Sequence, residues 1–307
     1  MTVKVGIPKS LLYFHYYPAW KTFFQQLGAK VVESDDSNQS IIDRGIKLSV
    51  DEACFPVKVC HGHIVNLRNK ADYIFLPRII SVVKDEYVCP KLMGLADMIK
   101  NNISNLPKLL TPTINHNQGW LDLLESNLKL GAEFTDDRFQ IMKAHWQARK
   151  ALRRYQENLI KEPKQNRLTI ALLGHAYLLN DEYLSLGLKE KLEELGVEVI
   201  TPQNLTERQI DKGANKLSKS LFWTFNREII GTAYYLFEHQ EVDGFIQLAA
   251  FGCGPDALIG ELIERKAKRR SDIHFMSLNL DEHTGEAGLE TRLEAFVDMI
   301  RWEVKGA

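Results

Sequence analysis

The sequence predicts an α/β fold of two doubly wound lobes. Short β-branched runs alternate with amphipathic stretches in both halves of the chain, the rhythm of parallel sheets covered by helices. The chain has 307 residues, about twice the usual domain length, so each lobe can bury a core of its own.

In the first half the strand candidates are VKVGI (3–7), AKVVES (29–34), DYIFLP (72–77) and LLTPTI (109–114). Helical patterns fall at 11–27, 56–68, 92–101 and 119–128. A polar, helix-favouring segment with a Trp/Ala/Leu stripe then runs over 136–161 and ends in KEPKQNR, a proline-containing polar break. It predicts a long connecting helix. The second half restarts the rhythm with RLTIALLG (167–174), VEVITP (197–202), VDGFIQLA (242–249) and IHFMSLNL (273–280). Helices are expected at 181–195, 207–217, 223–239, 256–269 and 288–305. The expected organisation is an N-terminal lobe over 1–135, a connecting helix over 136–165 and a C-terminal lobe over 166–307, each lobe Rossmann- or flavodoxin-like. Open α/β sheets bind ligands at the carboxyl ends of their strands, which places the expected site in the interlobe cleft.

Composition narrows the function. Lys+Arg 39 against Asp+Glu 40 leaves a net charge of -1, and basic residues gather only in short runs such as KAKRR (266–270), which argues against nucleic acid as the partner. The start, MTVKVGIPKS, lacks a basic-then-apolar leader, and no apolar stretch approaches the roughly 20 residues of a membrane helix. A cytoplasmic protein without membrane partners is expected, and in that compartment a few scattered cysteines point to metal or redox chemistry or to core filling rather than to disulfides. The sequence has no G-x-x-x-x-G-K-[ST], no G-x-G-x-x-G after the first strand and no G-x-S-x-G, so nucleotide binding and nucleophile elbows of those kinds are excluded.

Three of the four cysteines share a setting. Cys54 in DEACFPVK, Cys89 in EYVCP and Cys253 in FGCGPD are each expected where a strand runs out, a position that delivers a side chain without burying it, with proline one or two residues on as a helix start. Proline is tolerated in a first helical turn, and a helix N-terminus favours a thiolate. The glycines flanking Cys253 leave room for something bulky. The alternative for Cys253 is a buried thiol in a plain strand-to-helix turn. The three match neither paired C-x-x-C zinc knuckles nor a ferredoxin run, which leaves a three-thiolate site assembled by folding. Three thiolates suffice to hold an iron–sulfur cluster with one iron open.

On a helix starting near Pro56, Lys58 and His61 stand about 40° and about 20° from the Cys54 direction, while Cys60 points about 240° away. His61 and Lys58 are therefore the candidates for proton supply and charge compensation beside the metal; the competing readings are a histidine hydrogen-bonded at the lobe interface and a solvated helix lysine. Cys60 reads as a core filler. His61-Gly62-His63 is a weak metal signal, since neighbouring helical side chains diverge. Asp281, Glu282 and His283 sit at a strand end, where capping of the last helix is the economical account.

Through GIPKSLLYFHYYPAW, DEACFPVKVCHGH, YIFLPRI, YVCP, GHAYLLND, FGCGPD and LDEHTGEAGLETRLEAF, nearly end to end, the chain resembles the stand-alone proteins described as CoA-substrate-specific enzyme activase-related. They belong to the 2-hydroxyacyl-CoA dehydratase and benzoyl-CoA reductase superfamily of iron–sulfur proteins. The resemblance implies two α/β lobes around a cluster of [4Fe-4S] type, with an extra ligand or larger nuclearity in some relatives, and it matches Cys54, Cys89 and Cys253 to the cluster ligands. It also implies a partner, an ATP-hydrolysing iron–sulfur activator that delivers low-potential electrons, and reduction of a small-molecule substrate. This chain departs from the dehydratases in showing no CoA-binding feature. A non-catalytic cluster carrier with Cys60 as a fourth ligand, and a zinc or metal-free binding module, are the rival classes; a homodimer is compatible with the sequence.

Overall fold

The computed structural model describes residues 2–119, 121–161, 167–239, 241–270 and 273–306, with backbone alone at 287 and 304–306. The expected break over 161–167 lies mostly outside the described residues. The chain forms two compact units, one comprising Met1–Asn158 with Phe222–Thr224 and the other Leu159–Leu221 with Phe225–Ala307. Both are built on parallel sheets. Among the described residues no helix is long and apolar enough to cross a membrane.

The first unit runs β1 (Lys4–Ile7), α1 (Tyr13–Gln26), β2 (Lys30–Glu33), α2 (Gln39–Leu48), α3 (Phe55–Leu67), β3 (Tyr73–Phe75), β4 (Arg78–Ser81), α4 (Pro90–Met93), α5 (Leu95–Asn102), β5 (Lys108–Leu110), β6 (Thr113–Asn115), α6 (Asp122–Gly131) and α7 (Arg138–Leu159). Its main sheet has the order β2-β1-β3-β5, all parallel. β4 and β6 pair separately. They continue β3 and β5 past two prolines: Leu76 N donates to Leu110 O at 2.9 Å and Arg78 N to Pro112 O at 2.9 Å. Pro77 and Pro112 have no N–H to give the ladder, which is why the expected strand over 109–114 is split in two. Val5, Ile7, Phe24, Phe75 and Leu110 form the core, and α7 adds Ile141, Ala144 and Ala148 to it.

The second unit runs β7 (Thr169–Leu173), α8 (Ala176–Leu179), α9 (Glu182–Ser185), α10 (Leu188–Glu194), β8 (Glu198–Ile200), α11 (Glu207–Ala214), α12 (Thr224–His239), β9 (Gly244–Ala250), α13 (Gly254–Ala267), β10 (His274–Leu280) and α14 (Glu286–Gly306). The order β10-β9-β7-β8, again parallel, repeats the topology of the first unit. Every residue of β7 and β9 is buried, as central parallel strands covered on both faces require. The helix expected over 181–195 is broken, because Leu186 and Gly187 take left-handed backbone angles (φ 55° and 66°) between α9 and α10.

In each unit the chain crosses from the central strand first to one side of the sheet and later to the other. The strand order therefore reverses between β1 and β3, and between β7 and β9. The loops at the carboxyl ends of those pairs flank the crevice where open α/β sheets take their ligands.

Candidate functional site

Both strands of the reversing pair in the second unit end in a candidate ligand. β7 leads through Gly174 to His175, the N-cap of α8. β9 leads through Phe251 and Gly252 to Cys253, the N-cap of α13. Gly174 has to be glycine, since a Cβ there would stand 2.8 Å from the Leu248 carbonyl oxygen on β9. Gly252, at φ 78°, lets the chain turn so that Cys253 N donates to Ala250 O at 3.0 Å. Asp256 follows in the first turn of α13.

The three side chains converge. Ligand atoms of His175, Cys253 and Asp256 all lie within 4.8 Å of one another. His175 Nε2 is 2.9 Å from Asp256 Oδ1, with the two side chains 6% and 2% exposed. Asn226 Nδ2 on α12 donates to the same oxygen at 2.8 Å, and Gln247 Nε2 on β9 donates to the Asp256 main-chain oxygen at 3.0 Å. Gln247 has its place because residue 260 is glycine; a Cβ there would come within 2.3 Å of the amide oxygen. The Tyr177 ring stacks on His175 with centroids 4.8 Å apart. Burial pushes the Asp256 carboxyl up, but the His175 charge and the hydrogen-bonding groups of His175, Cys253 and Asn226 outweigh it and hold the carboxyl below its usual range.

In the first unit Cys54 is the N-cap of α3 and Cys89 the N-cap of α4, both with extended backbone (φ -69°, ψ 153° and φ -66°, ψ 151°) and proline in the first turn. The two settings are tied together by Lys91 Nζ, which donates to Glu52 O at 2.8 Å. Upstream of Cys89, Val88 N donates to Ile80 O at 3.0 Å, and the Tyr87 ring stacks on Phe222 at 4.7 Å. Burial raises the Cys89 thiol above its usual range; the N–H of Leu92 opposes the shift and the neighbouring Cys54 sulfur adds to it. All three N-cap cysteines are half-buried, as a ligand-bearing turn needs to be.

Cys60 is 1% exposed and its thiol is pushed up to about 12 by burial, with Ser10 opposing. It lines an apolar cavity with Pro8, Trp20, Phe75 and Leu92, a core position. His61 is also buried, and both its ring nitrogens are engaged: Nδ1 lies 2.8 Å from Val57 O, and Asn102 Nδ2 lies 3.2 Å from Nε2. That geometry makes Nδ1 the donor and Nε2 the acceptor. Lys58 stands half-buried one turn beyond Cys54. Asp281 organises a turn ahead of the last helix, accepting from His283 N at 2.9 Å and from Thr284 Oγ1 at 2.8 Å.

His175, Asp256 and Asn226 were not among the site residues read from the sequence. One signal was available, since His175 follows the apolar strand RLTIALLG as Cys253 follows VDGFIQLAAF. Asp256 read only as a helix start.

A family described as CoA enzyme activase uncharacterised domain matches residues 4–205, about two thirds of the chain. The chain belongs to this CoA enzyme activase family. Cys54 and Cys89 fall inside the matched residues, as does His175, whereas Cys253 and Asp256 lie beyond them. No curated protein matches this family member. Among solved structures it is similar to FpvC, a solute-binding protein of Pseudomonas aeruginosa in complex with Ni2+, at 15% identity and a TM-score of 0.30, with 100% of this chain and 98% of that one covered. The lac repressor dimer bound to operator gives 12% identity and a TM-score of 0.24 over 98% and 87% of the two chains. Scores this low carry no argument about fold or function.

Proposed function

We propose that the chain is an iron–sulfur redox protein of the 2-hydroxyacyl-CoA dehydratase-like superfamily, with Cys54, Cys89 and Cys253 as the thiolates of a [4Fe-4S]-type cluster. The observation that carries this reading is the common build of the three positions. Each cysteine is an extended N-cap, half-buried, with proline in the first helical turn. The Cys54 and Cys253 thiols thus sit at the positive ends of longer helices, where N–H groups favour a thiolate, and all three cysteines are part-exposed, where a ligand can reach them. The donor set suits a cluster, since iron–sulfur centres are held by Cys thiolates. Such a cluster, when bound, supplies low-potential one-electron chemistry and, with three protein thiolates, one iron open to a small substrate.

The remaining parts follow from these residues. Lys91 ties the Cys89 helix to the Cys54 loop and keeps two of the thiols in register. Lys58, one turn from Cys54, is the candidate for charge compensation. His61 has both ring nitrogens committed within its own unit, so its part is to fix α3 beneath Cys54 through Val57 and Asn102. The electron donor proposed is an ATP-hydrolysing iron–sulfur activator; membership of a CoA enzyme activase family supports a partnership of that kind.

The test is anaerobic reduction of the reconstituted protein by such an activator, followed by the loss of visible absorbance and the appearance of an EPR signal. Reduction that depends on ATP is the expected result; equal reduction without ATP removes the partner from the account. Cys60→Ser is expected to leave the cluster spectrum unchanged, and its loss would instead favour a closed four-thiolate electron carrier.

A further inference from the structure

We infer that His175, Cys253 and Asp256 form a binding site for a single divalent transition-metal ion, of the kind Zn2+ or Fe2+, complete within the second unit. The inference does not rest on the cluster proposal, with which the site shares one ligand, Cys253.

Four observations support the inference. The donor types are those of mononuclear metal sites, one thiolate, one imidazole and one carboxylate, and their ligand atoms lie within 4.8 Å of one another. Metal–ligand bonds of about 2.0–2.3 Å space tetrahedral ligand atoms about 3.3–3.7 Å apart, so the widest separation here has at most about 1 Å to close. The three residues stand at the carboxyl ends of β7 and β9, on the crevice where the strand order reverses.

Second, two buried polar atoms in the cluster are unsatisfied: Asp256 Oδ2 and His175 Nδ1 have no hydrogen-bond partner. A buried carboxylate oxygen without a partner is costly, and a cation beside it removes the cost. Third, the surroundings hold the ligands in place. Asn226 and Gln247 fix Asp256, and the Tyr177 ring fixes the plane of His175. Fourth, Cys253 is half-buried while Asp256 and His175 are buried, so the ion is reached from the thiol side. Three protein ligands leave a tetrahedral ion one position open, the arrangement of a reactive rather than a purely structural site. Because Cys253 serves one centre at a time, an ion in this site and a cluster on the three cysteines exclude each other.

The test uses the full chain carrying Cys54→Ser and Cys89→Ser, which removes two of the three cluster thiolates and leaves the proposed site intact. The protein is stripped of metal, kept anaerobic and titrated with Co2+ while absorption is recorded. One equivalent is expected to bind, with a near-ultraviolet sulfur-to-cobalt band and four-coordinate visible bands. Adding Cys253→Ser is expected to abolish the sulfur band. His175→Gln and Asp256→Asn, near-isosteric changes checked for retained fold by circular dichroism, are each expected to weaken binding at least ten-fold. Absence of the sulfur band in the double variant overturns the proposal. So does a band that survives Cys253→Ser, or binding that is indifferent to both near-isosteric changes. Iron and sulfide in the wild type report on the cluster separately, so either reading can fail alone.

Discussion

Gly62 on α3 faces Ile41 on α2 so closely that a Cβ at 62 would stand 1.9 Å from the Ile41 carbonyl oxygen. Gly45 reciprocates, with a Cβ there meeting the Lys58 carbonyl oxygen at 2.1 Å. Two helices crossing at backbone contact explain the His61-Gly62-His63 triplet without a metal. The glycine admits α2, His61 bonds inward to Val57 and Asn102, and His63 bonds Ser34 and Ser37 at 2.8 and 3.0 Å.

Gly62→Ala is therefore expected to destabilise the protein by about 3 kcal/mol, since backbone has to move to relieve the contact. Gly285→Ala, where a Cβ meets nothing within 4 Å, is the control and should stay within about 0.5 kcal/mol. Urea unfolding of the two variants checks this, and equal midpoints would contradict the close crossing.

Burial, followed by the charge of Lys9, lowers His63 to about 4, with Asp35 and Asp36 opposing. The unfolded chain protonates the same ring near the ordinary value of about 6.5. Between those values the unfolded state binds more protons, so stability falls as pH drops through the window, by about 3 kcal/mol in full. His63→Gln should show a shallower dependence of unfolding free energy on pH between 4 and 6.5. His61, also lowered by burial, leaves a residual slope in the same direction. Identical slopes in wild type and variant would remove His63 from this account.

With its thiol buried and raised to about 12, Cys60 should resist alkylation in the folded, cluster-free protein at pH 8 while the three half-buried cysteines react. Mass spectrometry of iodoacetamide adducts before and after unfolding reads the order. Labelling of Cys60 as fast as the others contradicts its place in the core.

Asn226 is 3% exposed and supports an ionised partner, so Asn226→Ala should cost about 2 kcal/mol and loosen Asp256. Thermal unfolding checks the cost. An unchanged midpoint would mean that the Asn226 bond contributes nothing to holding Asp256.

Much of this fold was legible in the sequence, because central parallel strands are continuous apolar runs and α/β alternation is periodic. For that reason β7 falls within RLTIALLG, and β9 matches VDGFIQLA except that it ends one residue later. What escaped was governed by tertiary contacts. α2 carries Gly45 in its interior, which weakens its helical signal but is required by the crossing with α3. β4 was hidden behind Pro77, and the break at Leu186-Gly187 behind an otherwise regular pattern. The helix starts at Cys54, Cys89 and Cys253 were legible because proline marks the first turn, but of the strand ends expected before them only that of Cys253 is found: Cys54 follows the turn after α2 and Cys89 the loop after β4. His175 and Asp256 were not, since only the side-by-side placement of β7 and β9 brings them together.

The most direct test of the central claim is the iron and acid-labile sulfide content of anaerobically reconstituted protein, in wild type and in four single Cys→Ser variants. The account predicts matched iron and sulfide in wild type and in the Cys60 variant, with loss in the Cys54, Cys89 and Cys253 variants. A wild-type chain that takes up neither iron nor sulfide would contradict it.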